Sequence, residues 1–149
     1  MNATQILAHP DQSLVKPLLG VARQAREFAA RFQGKDHAEL AGLLHDLGKA
    51  EKEFQDRIAG KKADKHPHAH HGAALALERQ VWPLAFAING HHAGLHDRSG
   101  LQQVPSKWTA PAHECEGMLK GDGDWVGQTW PVVDLCSLKT LPPEVLYAR

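Results

Sequence analysis

Seven of the eleven histidines in this 149-residue chain fall between His45 and His92, interleaved with leucine and alanine at helical spacing. That pattern limits the fold more than any other feature, because so many imidazoles either decorate a surface or are gathered between helices whose apolar stripes meet. The stripes are legible. Leu18, Val21, Ala22, Ala25, Phe28, Ala29 and Phe32 recur at three- and four-residue steps, with Arg23, Arg26, Glu27 and Arg31 on the other face. Leu14 to Phe32 therefore reads as an amphipathic helix. Gly34 is a plausible terminator and Asp36 a cap for the next helix, which carries Leu40, Leu43, Leu44 and Leu47 on one stripe and stops near Gly48. A short charged helix is expected over 50–58 and a fourth from about His68 towards Val81. Pro83, which is tolerated only in a first turn, opens a fifth that ends at His91 and His92.

After Gly94 the character changes. Residues 96–149 hold five of the nine prolines, three of the four tryptophans and a Gly121-Asp122-Gly123-Asp124 turn, and no helical stripe extends beyond a turn or two. The expected fold is all-α and a single domain, 1–149: a helical core over 1–96, then an irregular, loop-rich C-terminal third over 97–149.

Lys plus Arg equals Asp plus Glu, 17 against 17. A chain that grips nucleic acid unaided usually has a basic excess, since counterion release drives that binding. A nucleic-acid substrate would therefore be held by a local site or delivered by a partner. No apolar run approaches the roughly 18–20 residues of a membrane span, and Met1 to Asp11 lacks a secretory pattern. Cys115 and Cys136 lie 21 positions apart without a CxxC and read as reduced thiols of a cytoplasmic protein.

The chemistry lies in His45-Asp46. Both sit off the leucine stripe and can point into a space between helices, and Lys49, three and four residues on, shares their face. A carboxylate beside an imidazole is a ligand pair for a borderline divalent metal, and a lysine there can stabilise charge on a phosphate. His66, His68, His70 and His71 crowd one segment, of which a helix would turn one or two inward. His91-His92, flanked by small residues at a helix end, suit close packing around a cation. Singly, each has an ordinary reading as a capping, core or solvated residue; jointly, their order is specific.

Leu40-Ala41-Gly42-Leu43-Leu44-His45-Asp46-Leu47-Gly48-Lys49-Ala50, with Glu53-Phe54-Gln55, resembles the HD nuclease domain of the type I CRISPR-associated helicase-nuclease, within the HD phosphohydrolase superfamily. So does Ile88-Asn89-Gly90-His91-His92-Ala93-Gly94-Leu95, and Ala8-His9-Pro10 is similar to that family's start. The likeness covers about residues 6–96. It implies an HD-domain helical bundle that cleaves single-stranded DNA with one or two divalent ions: manganese, magnesium, nickel, cobalt, iron or zinc. By the same resemblance His45, Asp46, His68, His91 and His92 are the ligands, with His70 or His71 able to take the place of His68. Asp46 and Lys49 are the catalytic residues, Lys49 beside the scissile phosphate. The implied partners are a CRISPR helicase and the RNA-guided interference complex, with a second copy of the chain possible and no membrane.

Two positions depart from that pattern. The family's first-helix histidine is Pro17 here, which reads as a first-turn residue. Its late-helix aspartate has no evident counterpart: Asp124 and Asp134 are nominal candidates, and His9 or another chain would have to complete a second ion's shell. Two further readings stand beside the nuclease. One is an HD enzyme acting on small nucleotides. The other is a catalytically degenerate HD domain kept as an interaction module, with Trp108, Trp125 and Trp130 exposed to dock on a partner.

Overall fold

The computed structural model describes residues 5–61, 67–92, 94–122 and 125. A short antiparallel hairpin, β1 (Leu7–His9) and β2 (Gln12–Ser13), precedes α1 (Val15–Ala29), α2 (Lys35–Leu44) and α3 (Lys52–Ile58). Then come α4 (Ala69–Glu78), α5 (Trp82–Gly90), α6 (Arg98–Gln102) and α7 (Val104–Leu119). The architecture is all-α apart from that hairpin. A 3-10 turn, Leu47–Ala50, links α2 to α3. No helix among the described residues is long and apolar enough to cross a membrane.

α1 lies along α2, and α4 packs between α5 and α7. Leu14, Leu18, Leu40, Leu44, Leu47, Leu75, Ile88, Leu101 and Leu119 are fully buried between them. Three glycines set the approach of these elements. A Cβ on Gly42 would lie 2.4 Å from the Ala22 Cα, so α1 and α2 touch backbone to backbone. A Cβ on Gly72 would fall 2.0 Å from the Leu44 carbonyl oxygen, locking α4 onto the end of α2. A Cβ on Gly48 would meet the His68 carbonyl oxygen at 2.4 Å and the His71 Nδ1 at 2.3 Å.

Pro17 falls in the first turn of α1, and Pro83 at the start of α5, where a missing N–H costs nothing. The α2 helix stops sooner than its leucine stripe suggests. His45 is its C-cap, Asp46 leaves helical geometry at φ −115° and ψ 18°, and Lys49 belongs to the 3-10 turn.

The largest departure from expectation is the segment after Asp97, read above as irregular. It forms α6 and the 16-residue α7, whose Val104, Trp108, Ala112, Cys115 and Leu119 are buried. Pro105 sits in the first turn of α7, where it is harmless. Pro111 lies inside the helix, where it removes one backbone hydrogen bond that the packing of α7 on α4 and the Lys49 turn offsets. Trp108 and Trp125 are buried, 6% and 3% exposed, so they fill the core and are not docking anchors. Cys115 is a buried free thiol whose pKa burial pushes up to about 12. His66, Asp124, Trp130, Asp134, Cys136 and the rest of 126–149 lie outside the described residues. Trp108→Ala should cost about 3–5 kcal/mol, read as a lowered urea midpoint; a surface role for this tryptophan would leave the midpoint within a few tenths of wild type.

His113 of α7 ties back to α4 through Glu78, with Nε2 to Oε2 at 2.9 Å, and Nδ1 lies 3.5 Å from Glu116 Oε2. The Glu78 hydrogen bond raises the His113 pKa. A raised histidine pKa contributes stability that is complete below the unfolded value near 6.5 and is lost as pH rises through the folded value. The pair is largely solvent-exposed, so screening limits the effect. His113→Ala should lower stability by about 0.5 kcal/mol at pH 5.5 and leave it unchanged at pH 8.5.

Candidate metal centre

The site is built at helix ends. His45 is the C-cap of α2, His91 the C-cap of α5 and His68 the N-cap of α4. Two C-terminal helix ends, each carrying partial negative charge, thus converge where positive charge would be stabilised.

His45 and His91 use the same local device. Each ring contacts through Nδ1 the carbonyl oxygen three residues earlier in its own helix, Gly42 at 2.7 Å and Ile88 at 2.6 Å. A carbonyl only accepts, so Nδ1 carries the proton and donates it. In the neutral ring Nε2 then holds a lone pair, and that atom faces Asp46. His45 Nε2 is 3.3 Å from Oδ2, and His91 Nε2 is 3.4 Å from Oδ1. His68 Nε2 and His92 Nε2 stand 3.2 and 3.8 Å from the same Oδ1. Lys49 Nζ pairs with Oδ2 at 2.8 Å.

Four ligand atoms, from Asp46, His68, His91 and His92, lie within 4.8 Å of one another. Ligands about 2.1 Å from one ion in tetrahedral array are about 3.4 Å apart. The three separations from Oδ1 straddle that value, while the His68 and His92 Nε2 atoms, 2.7 Å apart, would spread to share an ion. Asp46 Oδ1 is sealed from solvent and accepts no hydrogen bond of acceptable geometry, although three imidazole nitrogens surround it. A buried carboxylate oxygen left in that state among lone-pair donors fits a divalent cation. Burial pushes the Asp46 carboxyl up, but His45, His68, His91 and Lys49 outweigh that and hold it far below its ordinary value. The Asp46 carboxylate beside it raises the His91 pKa, whereas burial and the charges of His91 and His68 lower that of His92.

His45 stands outside the four-atom group, on the Oδ2 side with Lys49. His70 and His71 do not take the place of His68. His70 Nδ1 pairs with the Asn89 Oδ1 at 2.5 Å. The buried His71 has Nε2 3.2 Å from Glu51 Oε2 and its ring centroid 4.9 Å from that of Trp108. His9 is exposed on β1. The late helix that sequence reading did not find is α7, but its acids, Glu114 and Glu116, are not in the Asp46 group.

Gln55, part of the stretch that carries the resemblance, has a positioning role that helical spacing does not announce. Its amide nitrogen donates to the carbonyls of Leu7 (2.8 Å) and Lys49 (2.6 Å), and its oxygen accepts from the Leu7 N–H at 3.0 Å. One side chain therefore pins both the β1 strand and the backbone that carries Lys49.

A helical bundle whose helix ends present one carboxylate, several imidazoles and a lysine to a common point has the framework of a metal-dependent phosphohydrolase. The HD domain family model matches residues 15–120, from the first residue of α1 to just past α7. This chain belongs to the HD domain family, a group of metal-dependent hydrolases. No match was found among curated proteins.

Proposed function

We propose that this domain is a metal-dependent phosphodiesterase that cleaves single-stranded DNA beside a CRISPR helicase and the RNA-guided interference complex. The observation that carries the hydrolytic part is the convergence of His68, His91 and His92 on Asp46, with Lys49 2.8 Å from the same carboxylate. What supports the DNA substrate and the helicase is the resemblance of residues 40–55 and 88–95 to that nuclease family.

A bound divalent ion supplies charge neutralisation at phosphate oxygens and acidifies a coordinated water. The protein's own residues do the rest. Asp46, His68, His91 and His92 would hold the ion, and the Lys49 ammonium beside them would meet a non-bridging phosphate oxygen. His45 keeps its Nδ1 proton on the Gly42 carbonyl, leaving Nε2 to accept a proton on the Oδ2 side or to join a second ion.

The test is cleavage of circular single-stranded DNA across a panel of divalent metals, with Asp46→Ala as control. Cutting that requires both a metal and Asp46 is expected. Full activity in the variant would overturn the assignment. Faster hydrolysis of small nucleotides than of DNA would replace it with a nucleotide phosphohydrolase. Folded, metal-loaded protein that cuts neither would leave an interaction module.

A further inference from the structure

Lined in part by the His45 and His91 rings, an open cavity of about 460 Å³ lies between α1, α2 and α5. Its apolar walls include Val21, Ala25, Ala38, Ala41, Leu84 and Ala87, and its volume falls within the range of small-molecule sites. Both rings belong at once to the Asp46 site and to the cavity wall. Their Nδ1 atoms are committed to backbone carbonyls and their Nε2 edges to Asp46. Gly42, where α2 meets the α1 backbone at Ala22, is also part of the cavity lining.

We propose that this cavity is a base-binding subsite, which takes the nucleobase next to the phosphate held at Asp46; this rests on the phosphodiesterase reading above. The lining decides the class of ligand. No Lys, Arg, Asp or Glu is among its residues, and the ring nitrogens of His45 and His91 are engaged with backbone carbonyls and Asp46, so it is poorly equipped to pair with a neighbouring phosphate. Alanine, leucine and valine walls do not satisfy the hydroxyls of a sugar either. The flat, uncharged part of a nucleotide is its base, whose faces suit apolar walls and whose polar edge can meet the one further histidine in the lining, His37. The same face of α1 continues past Val21 and Ala25 to Phe28, 76% exposed, and the 3-10 turn that follows the helix adds Phe32, 51% exposed. The apolar surface therefore extends outward from the cavity along that helix, as a single strand's next bases would require.

The experiment titrates thymidine 5′-monophosphate and 2-deoxyribose 5-phosphate separately into manganese-loaded protein, for the wild type and for Ala41→Phe, which fills the cavity from α2. Metal content is measured for each protein, so that damage to the ligand cluster and filling of the cavity are read apart. The nucleotide should bind at least about tenfold tighter than the sugar phosphate, as expected for burying an aromatic ring. That preference should vanish in Ala41→Phe. Ala38→Leu, a milder filling, should reduce it if Ala41→Phe does not fold. Equal binding of the two ligands by wild type, or a preference that survives in a folded filled variant, would overturn the subsite. Failure of the phosphodiesterase reading shows itself separately in the cleavage assay, as no DNA cleavage with any metal or as cleavage that does not depend on metal or on Asp46.

Discussion

Asp46→Ala is expected to strip the domain of its metal while leaving it folded. Asp46 is the common neighbour of the cluster: three imidazole nitrogens lie 3.2–3.8 Å from its Oδ1, and Lys49 pairs with Oδ2. Removing groups that merely orient ligands costs roughly 10–100-fold in metal affinity, and Asp46 is itself the shared ligand, so a loss beyond about 100-fold is expected. The frame is independent of it. Leu43, Leu44 and Leu47 hold the end of α2 from the other side, and His45 and His91 remain fixed to their own helices. Calorimetric titration with manganese and with zinc reads the affinity, and circular dichroism in chelator reads the fold. Wild-type affinity in the variant would remove Asp46 from the centre.

Gly72→Ala should have the opposite profile. Its Cβ would sit 2.0 Å from the Leu44 carbonyl oxygen and 2.7 Å from the Leu44 carbonyl carbon, both backbone atoms that no rotamer change can move. α4 must then withdraw from α2, opening the interface that buries Leu44, Leu75 and Ile88. Overpacking usually costs about 1–3 kcal/mol, and a clash with main chain belongs at or above the top of that range, so about 3 kcal/mol or more is expected. For a domain of this size that is roughly a 10 °C drop in Tm. His68 rides on the same helix, so metal affinity should fall with the fold. A Tm within about 2 °C of wild type, the shift that a cost below 1 kcal/mol would produce, would mean that the two helices do not touch here.

The parts of the site legible in the sequence are those that are neighbours along the chain. His45-Asp46 with Lys49, and His91-His92, mark helix ends through the stop signals around them, so their placement followed from local chemistry. The choice among His68, His70 and His71 depends on where α4 begins. It starts at Ala69, so His68 stays at the N-cap beside Asp46, whereas steps of about 100° turn His70 and His71 towards Asn89, Glu51 and Trp108. The split between His45 on Oδ2 and the other imidazoles on Oδ1 is likewise invisible, because it depends on the break in helix geometry at Asp46. α7 escaped notice for a different reason. Its inward positions mix large, small and charged residues (Val104, Trp108, Ala112, Cys115, Glu116, Leu119), and prolines at 105 and 111 mimic a loop. Tertiary packing overrode that local signal.

Tethering His91 to its own helix, and not to the other imidazoles of the cluster, makes the centre behave like a pair of calipers with one fixed jaw. That jaw is the end of α5, and its ring cannot swivel to follow an ion of another size without giving up the bond to Ile88. What remains adjustable is the gap between the jaws, set by packing deep in the bundle. Ion preference would thus be governed from the interior: buried residues of α5 such as Ile88 and Leu84, away from the ligand cluster, would fix the radius that the rim accepts.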